Sequence, residues 1–367
     1  MVIDVEHIEN SFVWETFKDG MPYLGTYKNE KPDRVKMHTQ RLDLANWVKI
    51  DRTYASQQCE KERLLRTKRN EIFVTNNDES TVLAKQELLE LLSDYLPKRF
   101  PDKFERQEQG IYNKMLDEFV SLHPQENDDP LMKASRLTQE DWCIMEWDDK
   151  EQGYCLTAGV VFFPMRWSLK EKHNLPMLKI HKPVDGFTNH LVPKVYDLFK
   201  SMSTNAPVHR GNWAVFHDLH GVLDLYTPTG HEERNEDAGV YRYQGEKTGH
   251  DLMFRAEYQT LRKLEKSSAI VFSIRTYQIH LEDFKKFPQK EAECLIKAIE
   301  NLHPNFIEYK ALSSWKEASL KYLRKNVLGL RDLEEKKWYY LGLTVGSVVI
   351  LATAVAIVWK LRRVGQC

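Results

Sequence analysis

The sequence of 367 residues lacks the short motifs that mark several common enzyme classes. It contains no G-x-S-x-G, no phosphate-binding P-loop, no H-E-x-x-H, and no G-x-G-x-x-G after a predicted strand. Each of these motifs places a nucleophile, a phosphate or a metal in a fixed geometry, so their absence disfavours the matching hydrolases, nucleotide-binding enzymes and zinc peptidases. The function must therefore rest on a different arrangement of side chains.

Cysteine is scarce, and neither sign of charge predominates. The five cysteines are widely spaced, odd in number and form no C-x-x-C pair, which argues against a disulfide framework and a structural zinc site. The 53 basic and 54 acidic residues nearly cancel, and the basic runs lack interleaved aromatic residues, so nucleic-acid binding is disfavoured. With 42% apolar residues the chain can bury a large core, and a reducing compartment fits its thiols best.

No secretory signal is visible at the start, but a long apolar run lies near the end. Residues 338–359 contain no charged side chain, carry aromatic residues at both edges and are flanked by lysine and arginine. This pattern predicts a single transmembrane helix that anchors a cytosolic body by its C-terminal tail; a buried core helix is the alternative. The endoplasmic reticulum, the mitochondrial outer membrane and the peroxisome would all suit the short basic tail.

The body of the chain changes from helical to strand-like patterns along its length. Leucines at helical spacing predict a helix over 83–96, ended by Pro97, and a second helix is predicted over 112–122. Two strand-like runs between Trp142 and Met165, separated by a polar turn, predict a β-hairpin.

The predicted fold class is α+β, with an antiparallel sheet surrounded by helices and a C-terminal transmembrane helix. Later in the chain, strands are predicted over 213–217, 239–243, 252–258 and 269–281, and helices over 191–202, 289–302 and 313–327. The predicted division is into a mainly helical part over 1–135, a sheet core over 136–310, a helical linker over 311–337 and the anchor over 338–359.

The predicted strand at residues 269–281 places charged groups where a buried strand should carry apolar ones. Alternation puts Ile270, Phe272 and Ile274 on one face, and Arg275 and Tyr277 on the other, about 6.6 Å apart along the strand. A guanidinium beside a phenol could grip an anion. Alternatively, Arg275 pairs with a carboxylate such as that of Glu257, because buried charges are usually paired.

Arg275 and Tyr277 belong to a larger set in which polar groups stand among aromatic residues. Its members are Arg166, His181, Arg210, Trp213, Arg255, Glu257, Arg275 and Tyr277. Several arginines, one histidine and many aromatic residues suit a large, flat, anionic cofactor. Haem has two propionates for guanidinium groups, an iron that binds imidazole, and faces that need apolar walls.

Five ordered segments also resemble a known family. They are FFPMRWSLKEK at 162–172, KIHKPV at 179–184, RGNW at 210–213, RAEYQTL at 255–261 and SSAIVFSIRTY at 267–277. Over about residues 22–310 the chain resembles the haem-dependent oxidative N-demethylase-like (HRQ-type) family. The resemblance implies a PAS-like fold that binds haem b. It also implies oxygen-dependent removal of a methyl group from a small secondary amine, with release of formaldehyde.

The resemblance assigns roles to named residues. His181 is the expected iron ligand, and Arg166, Arg210 and Arg275, with Trp213 beside them, are expected to hold the haem group. Glu257, Tyr277 and Arg275 are the expected catalytic residues, meeting the amine or bound oxygen.

The partners implied are a small amine, molecular oxygen and a redox protein. The chain has no flavin motif and no cysteine cluster for an iron–sulfur centre, so the electrons would come from an external NAD(P)H-dependent reductase. Two alternatives remain at this point: a PAS-type haem sensor without turnover, and a scaffold whose pocket is filled by its own side chains.

Overall fold

The protein is a mixed α/β structure built on an antiparallel sheet, as the computed structural model shows. The structure describes residues 39–51, 53–123, 128–164, 167–181, 192–217, 247–302, 307 and 312–330. Within this part of the chain, no helix has both the length and the apolar character needed to cross a bilayer. The predicted anchor at 338–359 and the predicted strand at 239–243 lie outside the described residues.

In chain order the described strands are β1 Gln40–Arg41, β2 Phe73–Thr75, β3 Phe104–Gln107, β4 Gly110–Asn113, β5 Glu118–Ser121, β6 Asp141–Asp148, β7 Gly153–Val160, β8 Val208–His217, β9 Leu252–Lys263 and β10 Ile270–His280. Seven of them form the main antiparallel sheet in the order β1-β8-β9-β10-β6-β7-β2, and three form a small separate sheet in the order β3-β4-β5.

Helices pack around the main sheet. They are α1 Tyr54–Ile72, α2 Glu79–Arg99, α3 Pro130–Leu137, α4 Leu169–Lys172, α5 Met177–Ile180, α6 Val192–Ser201, α7 Thr248–Asp251, α8 Gln289–Glu300 and α9 Lys316–Tyr322. Tighter turns lie at Leu44–Asn46, Leu281–Lys286 and Leu312–Ser314, and a π-helical turn lies at Leu323–Val327. Aspartates cap two helices: Asp78 accepts from Thr81 N at 3.0 Å before α2, and Asp129 accepts from Leu131 N at 2.8 Å before α3.

Most sequence-based predictions of elements are confirmed, with different ends. The hairpin is β6 and β7, and the strand predicted over 269–281 is β10. The leucine-rich helix continues past Pro97 to Arg99, because a proline near the last turn removes one backbone donor without ending the helix.

The helix predicted over 112–122 is wrong, because this segment forms β4, a turn and β5. The Asn113 side chain accepts from Met115 N at 3.1 Å, and Asp117 adopts the left-handed conformation with φ 54°, so the chain reverses. A side chain at Gly110 would place its Cβ 2.3 Å from the Val120 carbonyl, so this hairpin requires glycine.

The main sheet has two faces with different surroundings. On one face Val271 and Tyr277 pack into a large core shared with α2 and α3. On the other, Ile270 and Leu261 join a second apolar cluster with Met177 of α5 and others. We call the second group the apolar cluster; its members include Cys143, Met145, Leu156, Leu169, Met177, Val192, Val195, Phe199, Met202, Leu261 and Ile270.

Glu87 of α2 fixes the turn between β9 and β10. Its carboxylate accepts from the backbone N–H groups of Glu265, Lys266 and Ser267 at 2.7 to 2.9 Å, and from the Ser267 hydroxyl at 2.9 Å. The side chain is buried, and the next residue, Ser268, has a positive φ of 58°. A helix in the first third of the sequence thus holds a hairpin that lies far along the chain.

Candidate functional site

The face of the main sheet that bears the apolar cluster becomes polar further along its central strands. At alternate positions β8 carries Arg210 and Asn212, β9 carries Arg255, Glu257 and Gln259, and β10 carries Thr276 and Gln278. The strand register pairs Arg210 with Gln259, Asn212 with Glu257, and Arg255 with Gln278. Because facing residues of antiparallel strands point to the same side, these side chains form one continuous surface, which we call the polar face.

Glu257 lies at the centre of the polar face and is held by three neighbours. Its Oε2 accepts from Asn212 Nδ2 at 3.2 Å and from Gln259 Nε2 at 2.8 Å, while its Oε1 accepts from Arg255 Nε at 3.3 Å. A carboxylate offers about four lone-pair directions, so these bonds leave room for one more donor on Oε1. The site can therefore hold a cationic or hydrogen-bonding ligand against a fixed carboxylate.

Arg255 connects Glu257 to the loop after β7. Its side chain is almost fully buried, and its Nη2 donates to the Phe163 carbonyl and to Thr276 Oγ1, the latter at 3.2 Å. Burial lowers the pKa of the guanidinium, and the charges of Glu257 and Asp141 oppose that shift. Arg255 is thus a positioning group for Glu257.

Gln278 supplies a donor that the described part of the chain does not use. Its side chain is 7% exposed, and its Nε2 has no hydrogen-bond acceptor among the described residues. A buried amide donor without an acceptor costs free energy, so an acceptor brought by a bound molecule would stabilise this face.

His181 follows α5 at the edge of the same region. Its Nδ1 and the Met177 carbonyl lie 3.0 Å apart, which makes Nδ1 the protonated nitrogen and leaves the lone pair on Nε2. Burial lowers the pKa of the imidazole to about 4, with Arg210 and Lys172 acting in the same direction and the Met177 bond opposing them. A neutral imidazole with Nδ1–H held by a carbonyl is the usual form of a metal-binding histidine.

The structure brings together only some of the predicted site residues. His181, Arg210 and Glu257 belong to one side of the sheet. Met177, whose carbonyl lies 3.0 Å from His181 Nδ1, packs in the apolar cluster with Ile270 and Leu261. Arg210 pairs in register with Gln259, two residues from Glu257 on the same face of β9. Trp213, Arg275 and Tyr277 belong to the other face, and Arg166 lies outside the described residues.

Arg275 is held by groups of this chain on the far side of the sheet from Glu257. Its Nη2 donates to Asp51 Oδ2 at 2.6 Å, and its Nη1 donates to Gln57 Oε1 at 3.0 Å. Its guanidinium stacks over the Tyr277 ring, 4.6 Å from the centroid, and the side chain is fully buried. The expected pairing of Arg275 with a carboxylate is therefore present, but the partner is Asp51 rather than Glu257.

Sequence reasoning missed Gln259, Thr276 and Gln278 as members of a site. The signal was available, because polar residues recur at every second position in β9 and late in β10. That alternation shows a polar side of the strand, but it does not show which side carries a binding site.

A group of this composition, with imidazole, guanidinium and carboxylate groups beside an apolar cluster on an antiparallel sheet, defines a candidate cofactor-binding protein. The comparison with known families agrees. The family model for haem-dependent oxidative N-demethylase, alpha subunit-like, matches residues 38–320. The chain belongs to that family, and the predicted resemblance is confirmed.

The residues present fit a haem group. His181 offers a neutral imidazole, Arg210 offers a guanidinium for a propionate, and the apolar cluster offers a wall for the ring. The unused amide donor of Gln278 lies on the same face and could meet a polar atom of a bound molecule. Among the described residues there is no group of three or more His, Cys, Asp or Glu that could hold a separate metal ion.

Proposed function

We propose that the polar face binds haem b and that the protein catalyses the oxygen-dependent oxidative N-demethylation of a small secondary amine, releasing formaldehyde. The observation that carries this proposal is the placement of His181, Arg210 and Glu257 on one side of the sheet in a chain of this family. We propose further that the sheet and its helices form a PAS-like fold.

The iron ligand in this proposal is His181 Nε2. The hydrogen bond from Nδ1 to the Met177 carbonyl fixes the tautomer and aims the ring, and the low pKa means that no proton must leave before the metal binds. Arg210 holds a propionate, because a guanidinium forms strong charge-assisted bonds to carboxylates.

Glu257 is the residue proposed to meet the amine. A secondary amine is cationic at neutral pH, so it must lose a proton before its nitrogen can be oxidised. The free lone-pair direction on Glu257 Oε1 can accept an amine N–H, while Asn212, Gln259 and Arg255 keep the carboxylate in place. The haem group supplies oxygen activation when bound, with electrons from an external reductase.

Trp213, Arg275 and Tyr277 have no place in this site. Each belongs to the face that packs against α2 and α3, and Arg275 is paired with Asp51. Arg166 stays a predicted propionate partner.

The test is an absorption titration of the full-length chain with hemin, followed by an assay for formaldehyde. We expect a ferric Soret band that shifts in His181→Ala and not in His173→Ala, since His173 is a partly buried histidine in the same stretch of chain. We also expect formaldehyde from one of a panel of small secondary amines when a reductase and oxygen are supplied, and its loss in Glu257→Gln.

Two results would contradict the proposal in different ways. Hemin uptake with a His181-dependent spectrum but no formaldehyde from any amine would favour a haem sensor. A folded protein that takes up no hemin would exclude both the enzyme and the sensor.

A further inference from the structure

Four aromatic side chains form a contiguous group, of which Tyr154 and Phe199 are members of the apolar cluster and Trp147 and Tyr196 pack against it. Trp147 of β6 lies 5.4 Å from Tyr154 of β7 and 6.0 Å from Tyr196 of α6, centroid to centroid. Tyr154 lies 6.1 Å from Tyr196 and 5.0 Å from Phe199. Indole and phenol groups are among the protein side chains most easily oxidised by one electron, and transfer between rings this close is fast because tunnelling falls steeply with distance.

The inner end of this group lies next to α5, the helix that leads to the proposed iron ligand. A side chain at Gly153 would place its Cβ 2.3 Å from the Tyr196 hydroxyl and 3.4 Å from the Cβ of Pro176, the residue before α5. The carbonyl of the next residue, Met177, meets His181 Nδ1 at 3.0 Å, and His181 directly follows α5. Tyr196 and His181 therefore lie near the two ends of one four-residue helix.

The outer end is Trp147, which is only partly buried. Its Nε1 donates to Asp149 Oδ1 at 2.9 Å, and the Lys200 ammonium lies 4.4 Å from the ring centroid. A cation over the ring disfavours a positively charged indole radical. A carboxylate on the N–H favours loss of the proton. Oxidation of Trp147 would thus transfer the indole proton to Asp149 and leave a neutral radical.

We propose that Trp147, Tyr154 and Tyr196 form a one-electron relay that removes oxidising equivalents from the haem site to the protein surface. This rests on the proposed function, because it requires haem at His181. The oxidant is a hydroperoxide that reaches the site without an amine substrate. Its reduction to an alcohol and water takes two electrons and two protons.

The relay supplies these electrons one at a time. In each pass Trp147 loses one electron inward and its Nε1 proton to Asp149, which then releases that proton to solvent. The two protons that the hydroperoxide consumes at the haem site are taken up from solvent. A small one-electron reductant of the ascorbate class then restores the electron and the proton at the surface. Two such one-electron passes reduce one hydroperoxide, so the protein would use the peroxide to oxidise ascorbate.

The experiment uses the full-length chain loaded with hemin and treated with one equivalent of hydrogen peroxide. Protein radicals are recorded by electron paramagnetic resonance, captured with a spin trap and located by peptide mass spectrometry. We expect the adduct on Trp147, and we expect its loss both in Trp147→Phe and in Tyr196→Phe, which keeps Trp147 but removes the connecting phenol. Peroxide-driven ascorbate oxidation should be lost in the same two variants.

Trp167→Phe is the matched control, because Trp167 is also partly buried and packs against the same apolar cluster. It should leave the Trp147 adduct and ascorbate oxidation unchanged. Hemin uptake with no adduct on Trp147, or an adduct that persists in Tyr196→Phe, would overturn the relay and leave the proposed function standing. Failure to take up hemin would overturn both, and the absorption titration reveals this first.

Discussion

The two faces of the main sheet carry similar polar groups in opposite circumstances. On the face that packs against α2 and α3, Arg275 is bound by Asp51 and Gln57, and Lys61 donates to the carbonyls of Ser135, Thr138 and Glu140. On the polar face, Glu257 retains a free lone-pair direction, and the Gln278 amide has no acceptor in the described part of the chain. One face satisfies its charges internally, while the other leaves hydrogen-bonding capacity for a ligand.

This difference shows that the type of residue does not identify a site. Both faces have a buried arginine paired with a carboxylate, at 2.6 Å for Arg275 and 3.3 Å for Arg255. The difference is whether the neighbouring hydrogen-bond donors and acceptors are already bonded within the protein. Substitutions on the first face should therefore change stability, and substitutions on the second should change binding.

The largest expected effect is on the face that packs against α2 and α3. Replacement of Arg275 by Met removes one partner of a buried pair and leaves the Asp51 carboxylate without its cation, which should cost about 3–5 kcal/mol of unfolding free energy. Urea denaturation measures this. Arg63→Met is the control, because the exposed pair of Arg63 with Glu60 should contribute less than about 1 kcal/mol.

The contrast between the two faces of the sheet would be wrong if the Arg275→Met variant kept its stability but lost the haem spectrum. That outcome would assign Arg275 to the cofactor and return it to the role that the sequence predicted.

A second expected effect is a pH dependence set by His181. Its pKa is lowered in the folded state to about 4 from about 6.5, so the unfolded chain binds the proton more tightly in that range. The stabilisation is present above pH 6.5 and is lost as the pH falls toward 4, by about 2 kcal/mol between pH 7 and pH 5. Urea denaturation at both pH values should show a smaller loss in His181→Gln than in His173→Gln. Equal losses in the two variants would show that His181 is not the titrating group.

The smallest expected effect is on the polar face. Arg210→Leu should weaken hemin binding about tenfold, which corresponds to about 1.4 kcal/mol, because one charge-assisted bond to a propionate is lost. The unfolding free energy should change by less than about 1 kcal/mol, since Arg210 is only partly buried. Hemin titration and urea denaturation measure the two quantities, with Arg41→Leu on the exposed edge strand as the control. A large loss of stability with unchanged affinity would contradict the assignment.

Alternation and turn chemistry predicted much of the sheet. The polar turn between β6 and β7 predicted their hairpin, and the β-branched run predicted β10 to within one residue at each end. The segment at 112–122 failed because its apolar spacing also fits a helix, and only the reversal at Asn113 and Asp117 decides for two short strands. That reversal depends on a side-chain hydrogen bond, which periodicity does not record.

The candidate site was predicted in part. His181, Arg210 and Glu257 could be named because charged or imidazole groups stood among aromatic residues. The position of Arg275 could not be decided from sequence, because its partner Asp51 lies more than two hundred residues earlier in the chain. A contact over that separation follows from tertiary packing and leaves no local pattern. The same alternation that placed Arg275 beside Tyr277 also placed both on the face that packs against α2 and α3.

The carboxylate of Glu87 limits where the chain can be truncated. Three successive amide groups near Lys266 depend on an acceptor that only α2 supplies. A fragment that begins at residue 136 would keep every strand from β6 to β10 and still leave those amides unsatisfied within their hairpin. The same fragment would expose the apolar core that Leu88, Leu89 and Leu92 of α2 cover, so truncation at 135 should give an insoluble product.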